Sequence, residues 1–302
     1  MELKGVIPAL TTPFKSEDEL DLDGLKRLID DVIADGVDGV LVNGCTGESW
    51  AVCEDERAAM FATAVEAASG RVPVVAGCGA PQRRQAIAKM RQAEAAGCDA
   101  IMVQPPWYAL PNERDVEDYF NAVLDASKLP VMLYNIPRRT GINLSVDLVD
   151  RLADHPNTVA IKESSKDWLI LSAIIRRVKD RISVFAGYAS LLGLAAITEG
   201  AVGYVDSTTP VVGTLSPKFA RACREGDFET ARALQARLAT INFFGIGTFP
   251  ASVKAALELV GRPGGPTRDP IRSLDAEERQ RVREILIVAG ILAVDGRHDA
   301  TA

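Results

Sequence analysis

The sequence predicts a (β/α)8 TIM barrel followed by a C-terminal helical extension. Three observations carry that expectation: eight short apolar runs within the first 225 residues, amphipathic stretches between them, and a purely helical periodicity in the remainder. Residues 1–225 are expected to form the barrel and residues 226–302 the extension. The length of 302 residues would allow two domains at roughly 150 residues each, but single α/β barrels reach this size.

The runs are Gly5–Leu10, Gly39–Asn43, Val72–Gly77, Ala100–Gln104, Val131–Asn135, Val159–Glu163, Ile182–Gly187 and Val202–Asp206. Each is short and rich in Val, Ile and Ala, as a strand buried on both faces must be. Between the first two, Leu22, Leu25, Leu28, Ile29, Val32 and Ile33 step by three and four, a helical face that ends at Asp35-Gly36. Gln82–Ala96 ends in Gly97 and Leu191–Glu199 in Gly200; glycine suits the left-handed residue that closes a helix. Strict alternation of strand and helix implies parallel strands with right-handed crossovers, and eight such units close on themselves. An open doubly wound sheet is the competing architecture, usually with fewer strands. In the tail, Phe228, Ala231, Leu234, Leu238 and Ile241 form one helical stripe, Val253, Ala256, Leu257 and Val260 a second, and Asp275–Leu292 a third. Arg262–Pro266 (RPGGP) breaks the chain between the last two.

In a closed barrel the chemistry gathers at the C-terminal strand ends. On the sixth run, Ala160 and Lys162 share one face and Val159, Ile161 and Glu163 the other. The bulky apolar face belongs against the helices, which sends Lys162 inward. A strand-end lysine can simply reach water along its stem. Enclosed by apolar walls, however, it loses basicity. At a pKa of about 10.4 only about 0.04% of the amine is neutral at pH 7, against about 10–50% at a pKa of roughly 7–8. A neutral buried amine attacks carbonyls and forms Schiff bases.

On the fifth run Met132 and Tyr134 point together, and Tyr134 then stands beside Lys162 as a candidate proton relay, or as a core tyrosine with a satisfied hydroxyl. Arg139, on the following loop, is placed to hold a carboxylate in a two-pronged contact, the alternative being a solvated loop arginine. Asn43–Ser49 (NGCTGES) brackets small polar residues with two glycines, permitting a loop whose amides converge on an anion; the Thr46 hydroxyl would help hold the carboxylate of a 2-oxo acid. Cys45 reads as an unreactive small side chain facing the site, with no histidine near it in sequence.

Composition removes other classes. Hydrophobic residues at 47% and charged residues at 25% fit a globular enzyme. A formal charge of −7 argues against nonspecific nucleic-acid binding. Met1–Pro8 lacks a basic region followed by an apolar run, and no uncharged apolar stretch reaches about 18 residues, so neither a signal peptide nor a membrane span is expected. Five cysteines without a CxxC pair, and only two histidines (His155 and His298), argue against a disulfide framework or a metal cluster. No phosphate loop is present, and Gly77-Cys78-Gly79 is too short for a dinucleotide fingerprint. The expectation is a reduced, cytoplasmic enzyme.

Taken together and in this order, Gly44–Ser49 (GCTGES), Tyr134–Gly141 (YNIPRRTG) and Ile161–Glu163 (IKE) resemble the family of dihydrodipicolinate synthase and N-acetylneuraminate lyase, with the likeness running from Gly5–Phe14 into the helical tail. The resemblance implies a barrel with a helical extension, a homotetramer built from dimers, and lysine-imine chemistry on 2-oxo acids with no cofactor and no metal. It implies that Lys162 forms the imine, Tyr134 shuttles protons, the backbone of Cys45 and Thr46 cradles a carboxylate, and Arg139 holds the carboxylate of an aldehyde partner. Gly187 and Val205 fall where the family lines its pocket with a backbone carbonyl and an apolar side chain. Tyr108 stands near the place of a tyrosine that reaches across the dimer.

Three departures stand out. Cys45 replaces the family's usual Thr or Ser, the fourth loop Pro105–Pro111 is one residue longer, and Tyr188-Ala189 replaces residues that are commonly acidic in the synthases. Arg139 points to condensation of pyruvate with aspartate semialdehyde. The alternative is a dehydratase, deaminase or aldolase of the same family, acting on 2-keto-3-deoxy sugar acids or in hydroxyproline breakdown.

Overall fold

The computed structural model describes all residues except 1, 17, 242, 244 and 294–302. The strands are β1 Gly5–Pro8, β2 Val40–Val42, β3 Val74–Gly77, β4 Ala100–Val103, β5 Val131–Asn135, β6 Thr158–Glu163, β7 Ser183–Ala186 and β8 Gly203–Asp206. Helices α1 Leu22–Ala34, α2 Glu54–Ala68, α3 Arg83–Ala96 and α4 Glu113–Ala126 follow β1 to β4. The short α5 Pro137–Thr140 and α6 Val146–Leu152 follow β5, α7 Trp168–Val178 follows β6, and α8 Ala189–Glu199 follows β7. After β8 come α9 Thr209–Val212, α10 Leu215–Glu225, α11 Phe228–Thr240, α12 Ala251–Leu259 and α13 Ala276–Val288.

The paired strands run parallel in the order β1-β8-β7-β6-β5-β4-β3-β2, and a parallel bridge from Ala9 to Leu41 joins the two ends. The chain therefore forms the (β/α)8 barrel that its alternation predicts, with helices following the last strand. Side chains divide by parity. Ile7, Leu41, Val75, Met102, Met132, Phe185 and Val205 fill the interior, while Val6, Val40, Val74, Ile101, Leu133, Ile161 and Val184 pack outward against the helices.

One sequence expectation fails. Val159 does not share the outward face of Ile161; it packs against the inner layer. The cause is a register shift: Val131 pairs with Thr158 but Met132 with Ala160, so Val159 is left without a partner on β5 and the alternation breaks there. From Ala160 onward the register is regular, and Lys162 keeps its inward position.

The repeated helix stops have a shared construction. Gly36, Gly97 and Gly200 all have positive φ, and two residues beyond the first two stand Asp38 and Asp99. Their carboxylates accept the Val6 and Val74 amides of the neighbouring strands, each at 2.8 Å, which ties the return of the helix to the start of a strand. In the tail, α11 packs against α8 and α10. Arg262, from the breaker segment, pairs with Asp35 at 2.7 Å at the end of α1. Among the described residues no helix is long and apolar enough to cross a membrane.

Candidate active site

Lys162 and Tyr134 are register partners on β6 and β5. The Lys162 ammonium nitrogen lies 4.5 Å from the centre of the Tyr134 ring. Both side chains are buried. Desolvation brings the Lys162 pKa down to about 8, against the opposing influence of Cys45 and Asp206. The same burial pushes the Tyr134 phenol well above its ordinary value.

The residue after Tyr134 anchors the loop that carries the arginines. The Asn135 amide donates to Asn143 Oδ1 at 2.8 Å and to Glu163 Oε2 at 2.6 Å, and its carbonyl oxygen accepts the Leu144 amide at 3.0 Å. Pro137 opens α5, where its fixed φ fits and its missing N–H is no loss. Gly141 closes it at φ 74°, a conformation strained for any side chain. Arg138 and Arg139 are thereby presented at the mouth of the barrel.

The loop after β2 turns at Asn43 (φ 55°), whose side chain donates to Gly77 O at 2.7 Å. The amides of Gly47 and Ser49 return to Gly44 O at 3.1 and 3.3 Å, whereas those of Cys45 and Thr46 donate to no protein acceptor among the described residues. Two unpaired donors side by side form an anion cradle. The loop is pinned by Glu48, fully buried at φ 52°. Its carboxylate pairs with buried Lys254 of α12 at 2.5 Å and accepts the Arg268 amide at 3.0 Å.

These parts surround one cavity of about 390 Å³, lined by Cys45, Thr46, Tyr134, Arg139, Lys162 and Gly187 among the residues singled out from sequence. Val205 is not in this wall. It fills the barrel interior, and its successors Asp206 and Ser207 face the cavity instead. Tyr108 is also absent from the wall; it is 95% exposed at φ 74°. His155 sits 3.2 Å from Asp125 away from the cavity, and His298 lies outside the described residues.

Sequence reasoning missed several wall residues. Ser164 has the parity of Lys162 and could have been found by extending the alternation one step past the strand. Ser190, in the first turn of α8, follows Tyr188, which the sequence singled out only as a departure from the family and which also lines the wall. Phe243, Thr248, Phe249 and Ser252 come from the tail, with the Arg139 guanidinium 5.6 Å from the Phe249 ring centre. No local pattern announces these, because they reach the site only through the docking of α11 and α12.

The sequence profile of the Dihydrodipicolinate synthetase family matches residues 2–289. The chain belongs to this family. The 4-hydroxy-tetrahydrodipicolinate synthase 1 of Halalkalibacterium halodurans is 36% identical over 283 residues, covering 93% of this chain and 96% of the relative. An uncharacterized DapA-like lyase of Rhizobium meliloti is 38% identical over 273 residues, covering 88% of this chain and 89% of the relative. Among solved structures, YagE, a prophage protein of the dihydrodipicolinic acid synthase family from E. coli K12 in complex with pyruvate, superposes with a TM-score of 0.92 at 32% identity, covering 95% of this chain and 99% of that one. As a member of the dihydrodipicolinate synthetase family, the chain is an enzyme of the class I, Schiff-base-forming lyases and synthases.

Proposed function

We propose that the chain condenses pyruvate with aspartate semialdehyde to 4-hydroxy-tetrahydrodipicolinate through an imine on Lys162. The observation that carries this reading is the buried Lys162 amine 4.5 Å from the ring centre of the buried Tyr134, an enclosure that brings the amine's pKa down to about 8. At pH 7 about 9% of such an amine is neutral, against about 0.03% at the ordinary 10.5. The neutral nitrogen adds to the keto carbon of pyruvate while its carboxylate rests on the Cys45 and Thr46 amides. Loss of water gives the imine, and once protonated the imine draws electrons from the adjacent carbon, which gives up a proton and becomes an enamine. Tyr134 is the proton carrier in reach. The enamine then attacks the aldehyde carbon, and Arg139 holds the second substrate's carboxylate. The synthases related to this chain support the choice of acceptor.

A second reading, a dehydratase, deaminase or aldolase acting on 2-keto-3-deoxy acids or hydroxyproline-derived acids, is favoured by the hydroxyls of Tyr188, Ser190, Thr248 and Ser252 in the cavity wall, which suit a polyhydroxylated chain. Measuring kcat/KM for pyruvate with aspartate semialdehyde beside a panel of 2-keto-3-deoxy acids separates the two. Arg139→Ala is expected to lower kcat/KM for the aldehyde by about 10- to 150-fold, the worth of one charged hydrogen-bonded contact, while sparing pyruvate turnover to the enamine. A loss below about threefold would count against aspartate semialdehyde.

We also infer assembly into a homotetramer of dimers. Tyr108 at 95% and Leu110 at 58% exposure, both at positive φ, form a protruding apolar loop that a second copy would cover. Tyr108→Ala should weaken self-association in sedimentation velocity; an unchanged profile would remove this loop from the interface.

A further inference from the structure

Ser164 stands one residue beyond β6 and lines the cavity with Lys162 and Tyr134. It is only 3% exposed, yet its hydroxyl oxygen makes no hydrogen bond among the described residues. A buried hydroxyl without a partner is costly, and alanine would avoid that cost if packing were its only role. The backbone around it is built to hold the oxygen in place. The Ser164 amide donates to Asn135 O at 2.8 Å, and the Gly187 amide donates to Glu163 O at 2.7 Å. A Cβ at position 187 would stand 1.7 Å from Ser164 Oγ, so glycine there is what leaves room for the hydroxyl. The ends of β5 and β7 thus hold the backbone on either side of Ser164, and Gly187 leaves the space its hydroxyl occupies. Ser164 shares the cavity wall with Tyr134, and it draws that phenol's pKa back down against the effect of burial. The other small side chain at the phenol is Cys45, whose thiol is a weak donor.

We propose that Ser164 is the hydroxyl that serves the Tyr134 phenol during proton transfer, in place of a hydroxyl at position 45. The proposal rests on the Lys162 imine. As the carbinolamine collapses, its C–O bond breaks and Tyr134 gives its proton to the departing hydroxyl, which leaves as water. A phenolate then faces a protonated imine. The phenolate takes a proton from the methyl carbon, the C–H pair moves into the new C–C double bond, and the imine pair returns to nitrogen, giving the enamine and restoring the phenol. Throughout that interval the Ser164 O–H donates to the phenolate oxygen and keeps its own proton. Ser164 acts through Tyr134 and is a positioning residue.

The test is exchange of pyruvate methyl protons for deuterium, followed by NMR at saturating pyruvate, beside borohydride trapping of pyruvate on the same samples read by intact mass. Ser164→Ala, and Ser164→Cys as the variant of nearly equal shape, are expected to trap pyruvate as fully as the unaltered enzyme. Both should exchange at least about tenfold more slowly, the worth of one hydrogen bond, with KM for pyruvate within about twofold. Ser164→Thr restores most of the rate. Exchange within about twofold of the unaltered enzyme in both variants overturns the proposal. So does a slowing that threonine fails to restore, or loss of trapping in both variants. Failure of the unaltered enzyme to trap pyruvate would instead strike the imine beneath the proposal.

Discussion

Keeping Lys162 uncharged should cost the fold stability in a way that can be measured. An unfolded lysine titrates near 10.5, and the folded one at about 8. Between those values the unfolded chain binds the additional proton, so stability rises with pH across this window. Below pH 8 the full penalty applies, about 3 kcal/mol at pH 7. At pH 9.5 about 1.4 kcal/mol of it remains. Lys162→Met retains the stem and removes the titration, so it should abolish imine formation and be the more stable protein at neutral pH. Subtracting the two stabilities at each pH cancels every other group they share. By urea unfolding followed by tryptophan fluorescence, the advantage of Lys162→Met should shrink by about 2 kcal/mol from pH 7 to 9.5. A difference that stays constant over that range would refute the argument, since it would mean that Lys162 is as basic in the fold as in the unfolded chain.

Two further outcomes follow from the supporting contacts. Lys254→Met leaves the Glu48 carboxylate buried without its cation, which should destabilise by about 3–5 kcal/mol, while Lys254→Met with Glu48→Gln should recover most of that; equal losses in the single and double variants would show that the pair is not coupled. Gly187→Ala drives a methyl group into Ser164 Oγ and toward Glu163 O, so it should slow methyl exchange and cost about 1–3 kcal/mol, and wild-type kinetics in this variant would contradict the packing described around Ser164.

The barrel was legible because its strands are buried on both faces and so read as unbroken apolar runs, while the intervening helices keep one apolar stripe. The inward facing of Lys162 and Tyr134 was legible for a related reason: parity sends a residue in or out, and the bulky apolar face of each strand belongs against the helices. Val159 was not, because its facing is set by a register shift against Val131 that belongs to the neighbouring strand. The Val205 position fell one residue short of the wall, since the cavity opens just beyond the strand, at Asp206 and Ser207. Ser164 stayed hidden for the same reason, as pattern reading stopped at Glu163 although the pleat carries on. Phe243, Phe249 and Ser252 could not be read at all from their own segment, because a helical stripe states that a helix docks without stating where. The pinning of Glu48 by Lys254 is likewise a contact across about 200 residues with no local trace.

The most direct measurement is to incubate the enzyme with pyruvate, reduce with borohydride at a series of pH values, and map the modified peptide. A single adduct on Lys162, formed at a rate that climbs tenfold per pH unit below a midpoint of about 8, is the predicted result. An adduct on another lysine, or a midpoint near the ordinary 10.5, would contradict it.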